Sequence, residues 1–371
     1  MPHSHHSHSG QFCRHAKDTL DEVVQQAIHR GFEVFGLSEH GPRYRLEDLF
    51  PEEVSGRSAL EGAVHTMLTC ILSIIQADLT VEDLKTAYES FLSTAAALRA
   101  KYASQISLLV GIETDHITPL DLSGLEGVLA RHPEIDYIVG SVHHVNGVSI
   151  DFDGPNWIRS VRHATSPDMG ATMVETPSGL APFPIPHDQT DEIPSKTDLE
   201  PFFCLYLDKQ FELLQRFQPE VVGHFDLCLL FTPQISLRDE GFNGVWERVE
   251  RNIRFVVDYG GLFEMNAAAL RKGWKTSYPS KDVLSLIQSL GGRVCLSDDS
   301  HGVSYVGMNY LPMRDYLQRM HLKEIWYLVR EGDKKDGDEK VGNRGKVVAR
   351  RMEQWDQHAF WDGFAAGENS R

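Results

Sequence analysis

The sequence predicts an α/β protein, a TIM-like barrel of parallel strands joined by crossover helices, on three observations. Short apolar runs rich in β-branched residues recur along the chain, each followed by a stretch with helical apolar spacing. Seven such runs suit a βα barrel. Histidines and carboxylates cluster just after the runs, at what would be strand C-terminal ends, the face on which barrels of this kind build their sites. The length of 371 residues allows one large core, and we read residues 1–371 as a single domain.

The first helix is expected over residues 18–30, with Leu20, Val23, Val24 and Ala27 on one face and Gly31 ending it. A strand follows at 33–38, and further strands are expected at 106–112, 135–141, 221–223, 261–265, 293–296 and 324–329. Apolar spacing predicts helices at 123–131, 198–217, 245–259 and 281–290. Two stretches interrupt this pattern. Residues 45–105 are long and helical in character and read as an insertion after a strand; 151–194, rich in Pro, Gly, Asp and Thr, reads as a long loop that could cover a site. The charged, glycine-bearing tail 331–344 is expected to pack loosely.

Composition narrows the function. The net charge of -17, with no extended Lys/Arg cluster, would repel a polyanion, so nucleic acid is a poor partner. A small phosphate ester is still admissible, because bound divalent cations invert the local sign. No apolar run reaches the roughly 18 residues of a membrane span, and the polar N-terminus lacks a signal-peptide core, which suggests a cytoplasmic protein. Five scattered cysteines suit reduced thiols better than a disulfide framework.

The chemistry lies in the strand ends. Val34-Phe35-Gly36-Leu37 runs into Ser38-Glu39-His40, Leu108 to Ile112 into Glu113, Tyr137 to Ser141 into His143-His144, Val221-Val222-Gly223 into His224-Phe225-Asp226, and Val294-Cys295-Leu296 into Ser297-Asp298-Asp299-Ser300-His301. Taken singly, each histidine could be a hydrogen-bonded core residue, and the N-terminal His3-Ser4-His5-His6-Ser7-His8 could be a flexible tail. Five strand ends bearing ligand-type residues at one barrel face are better explained by a shared pocket. In an extended strand residues two apart share a face, so a His-x-His pair, His3/His5 or His6/His8, can grip one ion. Imidazoles with bridging carboxylates suit more than one zinc, iron or manganese ion. His29, His65, His132, His163, His187, His321 and His358 fall in expected helices or loops and are assigned to surface or packing.

In order, His-Ser-His-Ser with the later His15-Ala16, Ser38-Glu39-His40-Gly41-Pro42, Gly111-Ile112-Glu113, Gly140-Ser141-Val142-His143, Gly223-His224-Phe225-Asp226-Leu227 and Ser297-Asp298-Asp299-Ser300-His301 resemble the polymerase-and-histidinol-phosphatase (PHP) family, in particular its fungal-type histidinol-phosphatase members. The resemblance implies a distorted (β/α)7 barrel with a trinuclear divalent metal centre, zinc by preference and iron or manganese as alternatives. Carried over by position, the ligands are His6, His8, His15, His40, Glu113, His143, His224, Asp299 and His301. The spacing to His15 favours His6/His8 over His3/His5. The implied reaction is hydrolysis of L-histidinol phosphate to L-histidinol and phosphate, a step of histidine biosynthesis.

Such a centre would direct a metal-bound hydroxide in line at phosphorus, with no covalent enzyme intermediate. Asp299, His301 and Asp226 are the expected catalytic residues, with Asp298 and Glu39 available to orient ligands or move a proton. Arg43 and Arg271 are candidates for the phosphoryl oxygens, and Asp115, His116 and the segment containing Trp157 for the amine and imidazole. A phosphodiesterase or another phosphoesterase of the same family is the nearest alternative, followed by an amidohydrolase-like enzyme and a non-catalytic metal-binding protein.

Overall fold

Among the residues that the computed structural model describes (2–50, 53, 79–165, 173–176, 179–182 and 194–368), seven strands form one parallel sheet. Their order is His3–Ser4, Val34–Leu37, Ser107–Glu113, Tyr137–Gly140, Val221–Val222, Leu262–Asn266 and Arg293–Ser297. The sheet curls until its ends nearly meet. Ser7–His8 pairs in parallel with Ser300–His301, the Leu296 N–H donates to His3 Nε2 at 2.8 Å, and Ser4 Oγ donates to Asp298 Oδ1 at 2.8 Å. An α/β seven-stranded barrel, as expected, is the result.

Strand periodicity separates two cores. Phe35, Leu37, Leu108, Val110, Ile112, Phe263 and Met265 face outward and pack under the helices. The alternate residues Val34, Leu109, Tyr137, Val139, Val221, Leu262 and Cys295 face inward. By the same alternation the barrel lumen is apolar at its N-terminal end and carries Glu113 and Glu264 at its C-terminal end. Tyr137 fills the middle, its hydroxyl donating to the His5 carbonyl at 2.8 Å. Only glycine fits beside it: a Cβ on Gly36 would come within 2.1 Å of the Tyr137 oxygen, and one on Gly111 within 2.5 Å of its ring.

Four expectations are corrected. The run 324–329 does not enter the barrel; Glu324–Arg330 pairs antiparallel with Val347–Glu353, and His3–Ser4 takes the barrel place instead. The tail after it is not loose, because Glu339–Lys340 adds a third strand and Val341 is buried. This small sheet packs Trp326, Leu328 and Val348 against the inward-facing barrel residues and closes the lumen from below, with the Leu328 N–H donating to His5 Nε2 at 2.9 Å. Burial of its apolar face is what the charged composition of 331–344 concealed.

The third correction concerns residues 45–105. Val81–Lys101, N-capped by Thr80, buries Leu84, Tyr88, Phe91, Leu92, Ala95 and Leu98 and is the crossover between two adjacent parallel strands. Any insertion therefore ends before Thr80, and 54–78 lie outside the described residues. Fourth, 151–194 is not all loop. Gly154–Thr165 is a helix with Trp157 buried, its indole N–H donating to the Cys228 carbonyl at 3.0 Å, and Met173–Thr176 pairs with Gly179–Pro182. Trp157 is thus a buried core anchor rather than part of an open loop.

The remaining helices match closely: Leu20–His29 with Thr19 and Glu22 in a capping box, Pro119–Arg131, Lys196–Phe217, Val245–Tyr259 and Lys281–Ser289. Gly31 at φ 80° follows the first of them. Cys13, Cys204, Cys228 and Cys295 are free thiols, and no described helix is long and apolar enough to cross a membrane.

Candidate metal centre

Glu113, the last residue of its strand, is 1% exposed and stands at the middle of the C-terminal barrel face. Its Oε1 lies 3.1 Å from His6 Nε2, 3.3 Å from His143 Nε2 and 3.2 Å from His224 Nε2. Its Oε2 lies 3.2 Å from His8 Nε2 and 3.1 Å from His40 Nδ1. One carboxylate therefore touches five histidines from four chain segments. Asp299, at φ 48°, adds Oδ1 at 3.7 Å from both His6 and His8 and at 3.6 Å from His301 Nδ1.

Three of the donor triads here join these same residues: His6, His8 and Glu113; Glu113, His143 and His224; His8, His40 and His301. The strand ends explain the convergence. Ser7–His8 and Ser300–His301 are neighbours, which brings the His8 and His301 rings to 4.5 Å between centroids. His40 follows Val34–Leu37 and stacks on His8 at 4.3 Å.

The donors fit divalent cations. His6 Nε2 and both ring nitrogens of His8 and His40 are buried without a hydrogen-bond partner. His6 Nε2 and His8 Nε2 sit near carboxylate oxygens yet out of line for a hydrogen bond, as lone pairs do when directed at a common ion. The electrostatics also favour a cation. Burial lowers His6, His8 and His143, but Glu113 and the neighbouring carboxylates outweigh it and raise all three, His8 to about 9. Burial raises Glu113 and Asp299, and the surrounding imidazoles overcome it and hold both well below the usual carboxylate range.

A second ring of carboxylates orients the imidazoles. Glu264 Oε1 is 2.7 Å from His6 Nδ1 and its Oε2 accepts the His224 N–H at 2.7 Å. Asp115 Oδ1 is 3.0 Å from His143 Nδ1. Glu39 accepts both the N–H and the hydroxyl of Ser9 and lies 3.5 Å from His8 Nδ1. Glu264 was not singled out from the sequence; it lies inside its strand, Leu262–Asn266, and not at or after its end like the other donors.

The other expected residues divide. His15 is exposed at the rim, its ring centroid 5.0 Å from that of His301 and 5.3 Å from that of His40. His3 and His5 turn into the lumen, where each Nε2 accepts a backbone N–H, so the structure brings His6 and His8, not that pair, to the cluster. Arg43 is buried over the Phe50 ring and paired with Glu53 and, at 3.3 Å, with Asp115. Arg271 lies over the Tyr305 ring at 4.5 Å. His116 turns to Glu212 at 3.4 Å, away from the cluster. Asp226 is wholly buried and accepts the Ser280 N–H at 2.7 Å; burial pushes its carboxyl up to about 6. Asp298 bonds Ser4 and the Gly307 N–H and ties the first strand to the last.

Comparisons with known proteins agree with this geometry. Residues 4–268 match the model of the PHP domain. The chain is 37% identical over 326 residues to a Schizosaccharomyces pombe protein named "Probable histidinol-phosphatase", covering 88% of this chain and 89% of that one. It is 30% identical over 354 residues to a Saccharomyces cerevisiae histidinol-phosphatase, covering 88% and 91%. The fold is similar to the crystal structure of a Lactococcus lactis histidinol phosphate phosphatase complexed with zinc, L-histidinol and phosphate, at a TM-score of 0.54 and 16% identity over 93% of this chain and 98% of that one. The chain belongs to the PHP domain family.

Proposed function

We propose that this protein is a histidinol-phosphatase that hydrolyses L-histidinol phosphate to L-histidinol and inorganic phosphate at a trinuclear divalent metal centre, zinc by preference. The observation that carries the metal chemistry is Glu113, whose two oxygens reach five histidines; the substrate rests on near-full-length similarity to two fungal histidinol-phosphatases. The proposed ligands are His6, His8, His15, His40, Glu113, His143, His224, Asp299 and His301.

Divalent ions in such a site neutralise phosphoryl charge and acidify a water to serve as nucleophile. The chain's own residues set the geometry. Glu264 and Asp115 fix the ring orientation of His6 and His143, leaving the opposite nitrogens to face Glu113. Asp299 and His301, with side chains 12% and 19% exposed, are more open than His6, His8 or Glu113 and stand closest to an entering ester. Asp226, sealed beneath His224, serves to hold that segment in place. A small recess of about 30 Å³ lies beside the centre, lined by His15, His40, Arg43, Phe50 and Glu53. The Arg43 guanidinium there is engaged by Glu53 and Asp115 and stacked on Phe50, so a phosphoryl contact would have to displace one of those pairs.

Phosphate release from a panel of phosphomonoesters, with zinc, manganese and iron supplied in turn, tests the reading. Preference for histidinol phosphate, lost on chelation, is expected. Cleavage of phosphodiesters with no action on that ester would replace it.

A further inference from the structure

Beyond the nine proposed ligands, a tenth donor stands at the mouth of the centre. We propose that Cys13 is a metal ligand, a thiolate that closes the His15–His40 corner and tunes it to zinc-class ions. Cys13 is 7% exposed, and its Sγ lies 3.3 Å and 3.1 Å from the two ring nitrogens of His15. The sulfur and one ring nitrogen each of His15 and His40 all fall within 4.8 Å of one another. Of the His40 nitrogens Nδ1 faces Glu113 at 3.1 Å, while the buried Nε2 lacks a hydrogen-bond partner and is left as an unused donor besides the sulfur. Around it the rings of His8, His15, His40 and His301 form a continuous wall, with adjacent centroids 4.3 to 5.3 Å apart.

The backbone presents Cys13 firmly. After Ser7–His8 the chain turns at Ser9, whose carbonyl accepts the N–H groups of Phe12 and Cys13 at 3.1 and 2.9 Å. Glu39 clamps the start of that turn through the Ser9 N–H and hydroxyl. Its far end is fastened by the Gly10 N–H to the Lys17 carbonyl, at 2.9 Å, where a Cβ on Gly10 would meet the Lys17 backbone at 2.7 Å. The segment is thus a closed loop that sets Cys13 and His15 against His40.

A cysteine buried among apolar side chains is usually only a small hydrophobe. Here it adjoins imidazoles, and coordination would release its proton to solvent as the sulfur–metal bond forms. A thiolate favours zinc or cobalt over the harder manganese or magnesium, so this corner would discriminate where an all-imidazole-and-carboxylate site would not. The inference rests on the metal centre proposed above, and its test separates the two.

Full-length protein stripped of metal is reloaded with cobalt, cobalt content is measured, and near-ultraviolet absorption is recorded for wild type, Cys13→Ser and Cys204→Ser. A thiolate-to-cobalt charge-transfer band is expected in wild type and Cys204→Ser and absent from cobalt-loaded Cys13→Ser. Zinc competition should show one ion held at least about tenfold more weakly in Cys13→Ser. Fully loaded wild type without the band overturns the proposal, as does a band that survives Cys13→Ser. Phosphate release measured on the same samples keeps the readings apart: a missing band with hydrolysis intact removes the Cys13 ligand alone, whereas a band without hydrolysis removes the phosphatase reading alone.

Discussion

Glu264 grips His6 Nδ1 at 2.7 Å with one oxygen and the His224 N–H at 2.7 Å with the other, so a single buried carboxylate sets the pose of two proposed ligands from distant chain segments. Glu264→Gln keeps the shape but cannot accept at both places, since one end becomes a donor. The expected outcome is a fold retained by circular dichroism and metal affinity weakened about 10- to 100-fold in a chelator competition. Unchanged affinity would show that this contact does not orient the ligand.

Glu113 has a different standing, because it touches the donors themselves. Glu113→Gln should cost at least one ion per chain by elemental analysis and lower kcat by about 10²- to 10³-fold or more. A variant that holds its full metal complement and turns over normally would remove Glu113 from the centre.

The N-terminal strand supplies two of the proposed ligands and also closes the barrel against Arg293–Ser297 and Ser300–His301. Ions that bind only the folded chain add stability, about 2.7 kcal/mol for each at a hundred times its Kd. Chelation should therefore lower Tm by several degrees in differential scanning fluorimetry, and zinc should restore it. A Tm indifferent to complete metal removal would contradict this coupling.

How far the sequence carried this description depends on what each signal measures. Short apolar runs rich in β-branched residues marked six of the seven barrel strands, because inward and outward faces of those strands are both buried. They misplaced the seventh: His3–Ser4 is two polar residues whose burial comes from Leu296, Tyr310 and Asp298 contacts that no local pattern records. Glu324–Arg330 looks the same as a barrel strand locally and differs only in its partner, Val347–Glu353. The strand-end donors were legible because the fold gathers them at one face. Cys13 was not, since its proximity to His40 depends on a turn closed by Glu39 and Lys17.

Below the barrel, Glu220 is fully buried; burial raises its carboxyl from 4.5 to about 7, with Arg344 at 4.0 Å opposing. The folded chain thus holds a proton that the unfolded chain releases between these values. Stability from this group is complete below about pH 4.5 and is lost as pH rises through about 7. Glu220→Gln mimics the protonated form and can keep the acceptor for the Ile138 N–H at 2.9 Å. Relative to wild type it should be near neutral at pH 5 and more stable at pH 8 by up to about 3 kcal/mol, read from denaturant unfolding. A difference that does not change with pH would be inconsistent with a buried protonated carboxyl.

Arg43 and Arg271 are expected to respond differently. Arg43→Ala leaves Glu53 and Asp115 as buried, unpaired carboxylates and should destabilise the fold by about 3–5 kcal/mol. Arg271, stacked over the exposed side of Tyr305, can be removed with little loss of stability, and a phosphate role would appear as a rise in KM of about tenfold or more for the ester. Unchanged KM would take Arg271 out of the substrate site.

The most direct measurement is phosphate release from L-histidinol phosphate by purified, zinc-loaded protein and by its His143→Ala variant, with a phosphodiester assayed alongside. Release by the wild type, abolished by chelation and by His143→Ala and absent on the diester, is the predicted result. A metal-replete wild type inactive on histidinol phosphate while cleaving the diester would contradict it.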